Sequence, residues 1–287
     1  MTESTEPREH ALGEAHLDGC LGLSRAAGWN QNAADWRLML EIGRGWGLTR
    51  ADGTLVASTL VLPYRGFAWV SMVLVLPEER RKGYAARLLR RALAELQSAG
   101  LTPVLDATPA GRAVYLQEGF HDSWGFRRYR LQAGATATPE PQARVRPLAE
   151  ADWPQILALD APAFGASRER LLRALAKRLP QAALVCERAA EGRLCGYLLG
   201  RDGREACQLG PLVADTAETA IALVGSALRA VPAPLYLDAA DHSGPLLAWL
   251  AARGCREQRP FTRMVYGGQA APGDASKVML VAGPELG

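Results

Sequence analysis

A weak self-similarity at one nearly constant spacing constrains this 287-residue chain more than any other feature. Gly119 and Gly254, Phe126 and Phe261, Arg128 and Arg263, and Ala92-Leu93 and Ala227-Leu228 all stand 135 positions apart. Gly13-Glu14-Ala15 is followed 136 positions later by Ala149-Glu150-Ala151, and Leu105-Asp106-Ala107 recurs 132 positions later as Leu237-Asp238-Ala239. Drifts of that size are what loop insertions produce, and self-similarity at domain length points to a duplicated fold. The length suits two domains, each large enough to bury its own core. Between them, Gly134 to Ala143 lacks periodicity and is rich in small residues and proline, as expected of a linker. The expected organisation is therefore a domain over 8–133, a linker over 134–143 and a second domain over 144–287.

Composition narrows the function. Apolar residues make up 48% and charged residues 22%, which argues against disordered and fibrous classes. A formal charge of +3 gives nucleic-acid binding no general support. The five cysteines, Cys20, Cys186, Cys195, Cys207 and Cys255, are odd in number and lack ligand spacing, so neither a disulfide framework nor a metal site is expected. His16, His121 and His242 share no partner spacing either. The first ten residues hold no apolar signal core, and no apolar run approaches the roughly 20 residues that span a bilayer. No membrane association and a cytoplasmic location are the expectations.

The chemistry is concentrated in one strand, loop and helix. The aliphatic run Val73-Leu74-Val75-Leu76 stops at Pro77, and after Gly83 the apolar spacing becomes helical, with Ala85, Leu88, Leu89, Ala92, Leu93 and Leu96 on one side. Unpaired amides at a helix N-terminus, with the helix dipole behind them, attract anions, and a glycine there lets a phosphate approach the main chain. Neither G-x-x-x-x-G-K-[ST] nor G-x-G-x-x-G is present, so a P-loop and a dinucleotide fold are disfavoured. Downstream, Pro103 to Ala107 reads as a short buried strand. Thr108 and Pro109 follow as an N-cap and first helical residue, and that helix carries Tyr115 and closes at Gly119-Phe120. Upstream, helical patterns lie over Ala11–Ala27 and around Trp36, Leu38, Met39 and Ile42, with strands over Gly45–Thr49, Thr54–Leu62 and Phe67–Leu76.

Val75, Pro77, Arg80, Gly83 and Ala85 match V-x-P-x-x-[QR]-x-x-G-x-[GA], and Tyr115, Gly119 and Phe120 match Y-x-x-x-G-F. In these motifs, and in their order, the chain resembles the GNAT N-acetyltransferase superfamily, specifically over residues 8 to 132 and weakly beyond. The resemblance implies an α+β (mixed α/β) fold of two tandem GNAT-like domains, each a twisted mixed central sheet flanked by helices, with acetyl-CoA as co-substrate and no metal. By the same resemblance the backbone of Val73, Leu74 and Val75 would hold the pantetheine arm and polarise the acyl carbonyl. Arg81, Lys82, Gly83, Tyr84, Ala85 and Ala86 would hold the diphosphate through backbone N–H groups, and Arg80 and Lys82 would add charge.

Tyr115 is the expected general acid, since a phenol with an ordinary pKa near ~10 is protonated at neutral pH. The strand before the loop carries no carboxylate; Asp106 is the nearest base by topology and fits a structural role equally well, and a water relay, with Ser71 orienting the water, would remove the need for a direct base. The segment after the first helix would border the acceptor, making Trp29 and Asn30 candidate substrate contacts, while Trp36 fits a core position equally well. In the second half the 135 shift puts Asp215 and Glu218 where Arg80 and Gly83 stand, and Leu250 where Tyr115 stands. That half is accordingly expected to be degenerate toward coenzyme A, shaping the acceptor pocket or a homodimer surface. The expected function is acetyl-CoA-dependent N-acyl transfer to a primary amine of a small molecule or peptide; the competing expectation is a non-catalytic acyl-CoA sensor.

Overall fold

The structure, a computed structural model, describes residues 6–132, 144–188 and 192–287; the expected linker lies outside them. The first half runs β1 (Arg8–Ala11), α1 (Leu17–Ala26), α2 (Ala33–Ile42), β2 (Arg44–Thr49), β3 (Leu55–Pro63), β4 (Phe67–Val75), α3 (Tyr84–Ser98), β5 (Thr102–Ala107), α4 (Pro109–Gln117) and β6 (Phe120–Leu131). The second repeats that order as β7 (Arg144–Pro147), α5 (Trp153–Phe164), α6 (Glu169–Arg178), β8 (Leu184–Glu187), β9 (Leu194–Arg201), β10 (Cys207–Ala214), α7 (Ala217–Ala230), β11 (Leu235–Ala240), α8 (Gly244–Ala252) and β12 (Arg256–Tyr266), and adds β13 (Val278–Leu280).

Local sequence accounts for most of these elements. Leu88, Leu89, Ala92, Leu93 and Leu96 of α3 are buried, the i, i+3, i+4 stripe of a helix lying on a sheet. In α4 the Thr108 hydroxyl caps the helix by accepting from the Gly111 amide at 3.2 Å, with Pro109 at the first position. At α2, Asn32 and Asp35 cap each other's backbone amides. The first helix starts later than its apolar pattern implied. Arg8–Ala11 pair antiparallel with β2 instead, a short edge strand whose residues are satisfied by sheet hydrogen bonds rather than by helix periodicity.

The thirteen strands among the described residues form one sheet in the order β1-β2-β3-β4-β5-β12-β6-β11-β13-β10-β9-β8-β7. The helices α1, α2, α5 and α6 share one core that runs across both halves, whereas α3 covers the first half and α7 the second on separate cores. The halves also exchange a strand. β12 of the second half lies antiparallel between β5 and β6, and β6 of the first half lies antiparallel between β12 and β11.

The repeated residues meet at this exchange. Phe126 and Phe261 are directly paired across β6 and β12, and their rings stack at 5.0 Å and 10°. Arg263 donates to both oxygens of Asp106 in the opposite half, at 2.9 and 3.0 Å, with its guanidinium between the rings of Trp69 and Trp124. Arg128 forms the reciprocal fork with Asp238 at 2.8 and 2.7 Å. All four side chains are buried, none more than 6% exposed.

A fork of this kind is costly to break, because removing one partner strands a charge in a medium that solvates it poorly. Replacing Arg263 by Met should lower unfolding free energy by about 3–5 kcal/mol, and the double change Asp106→Leu with Arg263→Met by much less. Urea denaturation of the three proteins measures this; equal losses in single and double variants would show that the fork does not couple the halves.

Candidate active site

Between β4 and β5 the sheet opens. The two strands pair in parallel only over Phe67–Thr102, Ala68–Pro103 and Trp69–Val104, so β4 presents an unpaired edge from Val70 onward. The other edge of β4 carries a bulge, where the register against β3 slips between Leu60–Ser71 and Ser58–Leu74. Met72, within the bulge, takes a positive φ of 50°, a conformation that bulky residues rarely adopt, and its carbonyl accepts from the Ser58 hydroxyl at 2.7 Å. Such strain concentrates at functional positions.

Beyond β4, residues 76–83 form the loop that leads into α3. Gly83 caps the helix at φ +83°, and Arg81 has φ +65°. The first intrahelical amide is that of Arg87, bonded to the Gly83 carbonyl. The amides of Lys82 to Ala86 meet no acceptor among the described residues, as the geometry of a helix start requires. A Cβ built on Gly83 meets nothing within 4 Å, so the approach to these amides is open. Glu79 holds the loop from beneath: it is buried, accepts from Lys82 Nζ at 2.8 Å and from Arg50 Nε at 2.9 Å, and these bonds lower its pKa. Lys82 is thus committed to an ion pair, and Arg80 and Arg81 are exposed.

A cleft is lined by Val70 to Val73 of β4, Leu105 and Asp106 of β5, the cap residue Thr108 and Tyr115 of α4, and Trp29 and Gln31 from the segment between α1 and α2. It is also lined by Arg259 and Phe261 of the exchanged strand and by Pro284 and Glu285, residues of the second half that the motifs did not flag. Tyr115 stands against Phe120 in an edge arrangement, and burial pushes its pKa up to about 12. The phenol therefore remains protonated throughout the physiological range.

Three expectations need correction. Asp106 lies in the cleft wall, but both of its oxygens are engaged by Arg263, and burial raises its pKa against the pull of that guanidinium. Its carboxylate belongs to the strand exchange, which leaves it poorly placed to collect a substrate proton. Asn30 is buried, and its carboxamide donates to the Ala206 carbonyl at 2.9 Å and accepts from the amides of Glu205 and Ala206, binding the halves together. Trp36 is a core residue, its indole N–H bonded to Ser24.

The third correction concerns the second half. A constant shift of 135 places Asp215 and Glu218 over Arg80 and Gly83, but the helix starts Tyr84 and Ala217 are 133 apart, and β10 reaches α7 through Asp215 and Thr216 alone. The loop is therefore missing rather than recharged. Thr216 caps the Thr219 amide, and Asp215 pairs with Arg188. The splay beside it is filled as well. β10 pairs with β11 over Cys207–Gln208–Leu209, and where the strands would part, β13 enters between them, pairing Leu212–Leu280, Val213–Val278 and Ala239–Leu280. From β13 the chain runs back toward the first cleft, where the Pro284 carbonyl accepts from the Trp69 indole at 2.9 Å.

Because the Glu79 pKa is depressed, its contribution to loop order is present above the unfolded carboxylate value near ~4.3 and is lost as pH falls through the lower folded value. Replacing Glu79 by Gln should lower the hydrogen-exchange protection factors at pH 7 of the amides of residues 79 and 80, which bond the Leu76 and Pro77 carbonyls. Unaltered exchange in that variant would remove Glu79 from the account of the loop.

Among the described residues no helix is long and apolar enough to cross a membrane, and no cluster of His, Cys, Asp and Glu is placed to hold a metal. Residues 18–120 match the profile of the family described as Acetyltransferase (GNAT) family, and residues 156–280 match an Acetyltransferase (GNAT) domain. The uncharacterized N-acetyltransferase YitH of Bacillus subtilis (strain 168) is 24% identical over 228 residues, covering 79% of this chain and 80% of that protein. A crystal structure from Pyrococcus horikoshii, whose assignment as an acetyltransferase is itself provisional, is similar at a TM-score of 0.80 and 19% identity over 100% of this chain and 98% of that one. A tandem GNAT protein from the clavulanic acid biosynthesis pathway is similar at 0.62 and 16% identity, over 92% and 100% of the two chains. At such identities the two solved structures speak for the fold alone. With both profiles matched in succession, each over one half of the repeated architecture, the chain belongs to the GNAT acetyltransferase family in its tandem form.

Proposed function

We propose that the protein is an acetyl-CoA-dependent N-acyltransferase in which the first half carries the chemistry and the second half forms one wall of the acceptor pocket. The observation that carries this reading is the contrast at equivalent places in the two halves. One has an open splay beside a loop of unpaired amides; the other has a splay filled by β13 beside a two-residue turn.

The residues present fit the coenzyme. The unpaired edge of β4 over Val73, Leu74 and Val75 offers backbone groups to an extended amide-bearing arm, as a neighbouring strand would. The amides from Arg81 to Ala86 and the dipole of α3 suit a diphosphate, and the exposed Arg80 adds positive charge at the rim. When bound, the coenzyme supplies an activated thioester. The chain's part is to hold that thioester against the bulge, admit the amine acceptor from the side of Trp29 and keep water out with the apolar faces of Val70, Leu105 and Phe261. Tyr115 lines the same cleft as the bulge and gives a proton to the departing sulfur. Its raised pKa keeps that proton available and makes the phenol a weak donor until negative charge develops beside it.

Replacing Tyr115 by Phe should leave acetyl-CoA affinity intact and reduce turnover by about 10²–10⁴-fold. Gly83→Glu should abolish coenzyme binding, since it forces a side chain with negative charge onto a positive-φ position facing the phosphates. Calorimetric titration with acetyl-CoA and thiol release with a panel of amines measure both. Tight acetyl-CoA binding without amine-stimulated thiol release from any acceptor would favour the sensor reading, and unchanged affinity in the Gly83 variant would refute the loop assignment.

A further inference from the structure

The cleft contains more polar capacity than the donor site uses. Gln31 Oε1, Ser71 Oγ and Glu285 Oε2 are buried without a hydrogen-bond partner, and all three residues line it. Gln31, Ser71 and Glu285 are 3%, 7% and 2% exposed, so bulk water does not satisfy these atoms. A buried polar atom without a partner costs free energy, and three on residues that line one cleft, two of them pure acceptors, suit a ligand that donates several hydrogens. Glu285 is firmly held for the task. Its other oxygen pairs with Arg201, which in turn bonds Asp35 at 3.0 Å and Gln208 at 3.1 Å, so a buried network fixes the residue at the cleft wall and leaves Oε2 without a partner.

Opposite charge lies at the mouth. Arg128 and Arg259 line both the cleft and the polar depression that continues from it, where Arg130 joins them. Arg128 is taken by Asp238. Arg259 and Arg130 make no ion pair among the described residues, and the Nε of each is buried without a partner. The one carboxylate lining that depression, Glu205, already accepts from the Tyr236 hydroxyl at 3.2 Å and pairs with Arg204. Arg259 at the cleft and Arg130 in the adjoining depression thus carry guanidinium groups without a counter-ion among the described residues, a setting that favours a carboxylate from a ligand.

We propose that this cavity is an acceptor subsite for a small molecule carrying both a primary amine and a carboxylate, the amine seated against Glu285, Gln31 and Ser71 and the carboxylate against Arg259 and Arg130. The assignment rests on the acyltransferase reading above and deepens it. The ammonium gives one proton to Glu285 Oε2 and becomes the nucleophile; its nitrogen bonds to the acyl carbon as the carbon–sulfur bond breaks. The sulfur takes the Tyr115 proton, and the phenol is restored by the second proton that the nitrogen sheds. The products are an N-acyl amino acid, free thiol and the proton held by Glu285, which is returned to solvent. The acceptor carboxylate takes no part in the bond changes and sets orientation.

The test is thiol release by the full chain with acetyl-CoA and two matched panels, the twenty standard amino acids and the amines that correspond to them without the carboxylate. At least one amino acid should exceed its decarboxylated counterpart in kcat/KM by about tenfold to a hundredfold, the loss typical of one charge-assisted hydrogen bond. In Arg259→Gln that ratio should fall toward one, and in Arg259→Lys it should recover in part. Glu285→Gln should lose turnover of the preferred amino acid by at least about tenfold, the scale of one hydrogen bond to a charged group, while acetyl-CoA titration still shows binding, which distinguishes loss of the amine from loss of the fold. Equal use of both panels, or donor binding with turnover of neither, overturns the subsite while leaving the donor site standing. Absence of acetyl-CoA binding overturns the proposed function itself.

Discussion

Arg263 reaches Asp106, and Arg128 reaches Asp238, only because each half lends its last long strand to the other. These two reciprocal forks, with Phe126 and Phe261 stacked between them, are the constraint on which the rest of the molecule depends. Buried ion pairs add little net stability over apolar residues of the same shape, because desolvation offsets most of the attraction. Their effect is on choice. Any register that leaves one of these four groups unpaired strands a charge in the core, so the forks hold the exchanged strands in register against their partners.

The composite cleft follows from that exchange. Had β6 folded back beside β5, the strand next to β5 would have come from the first half, and β12 would not bring Arg259 and Phe261 to the cavity. The shared core beneath α1, α2, α5 and α6 fixes the angle between the halves, and the Asn30 clamp to Glu205 and Ala206 pins the segment that carries Trp29 and Gln31. The duplicated units have diverged at one place in particular. The first kept the loop and the open splay; the second dropped the loop and closed the splay with β13, turning an equivalent groove into the anchor for the segment that presents Glu285. The polar atoms without partners in this cleft accordingly come from both halves.

Local chemistry made much of this legible in the sequence. Strand, loop and helix around Gly83 could be read because the apolar period changes from that of a strand to that of a helix within ten residues, and Thr108-Pro109 marked a helix start that the structure reproduces. The repeat was legible too, but its meaning was not. Arg128 and Arg263, and Asp106 and Asp238, looked like parallel copies of one motif, whereas each pairs with the copy in the other half, a matter of strand register between segments more than a hundred residues apart. A fixed shift also disguised the shortened loop as a change of charge. Glu285 had no local signal at all, since its neighbours Gly283, Pro284 and Leu286 read as an irregular segment. A buried carboxylate with one free oxygen becomes visible only when the fold brings it to the cavity.

The central claim is that one splay in the sheet receives an acyl-coenzyme and its counterpart cannot. A crystal structure of the full chain with a non-hydrolysable acetyl-CoA analogue tests this most directly. The account predicts a single coenzyme between β4 and β5, its diphosphate on the amides that open α3 and its acyl end between the Met72 bulge and Tyr115. Coenzyme density beside α7, with β13 displaced from between β10 and β11, would contradict it.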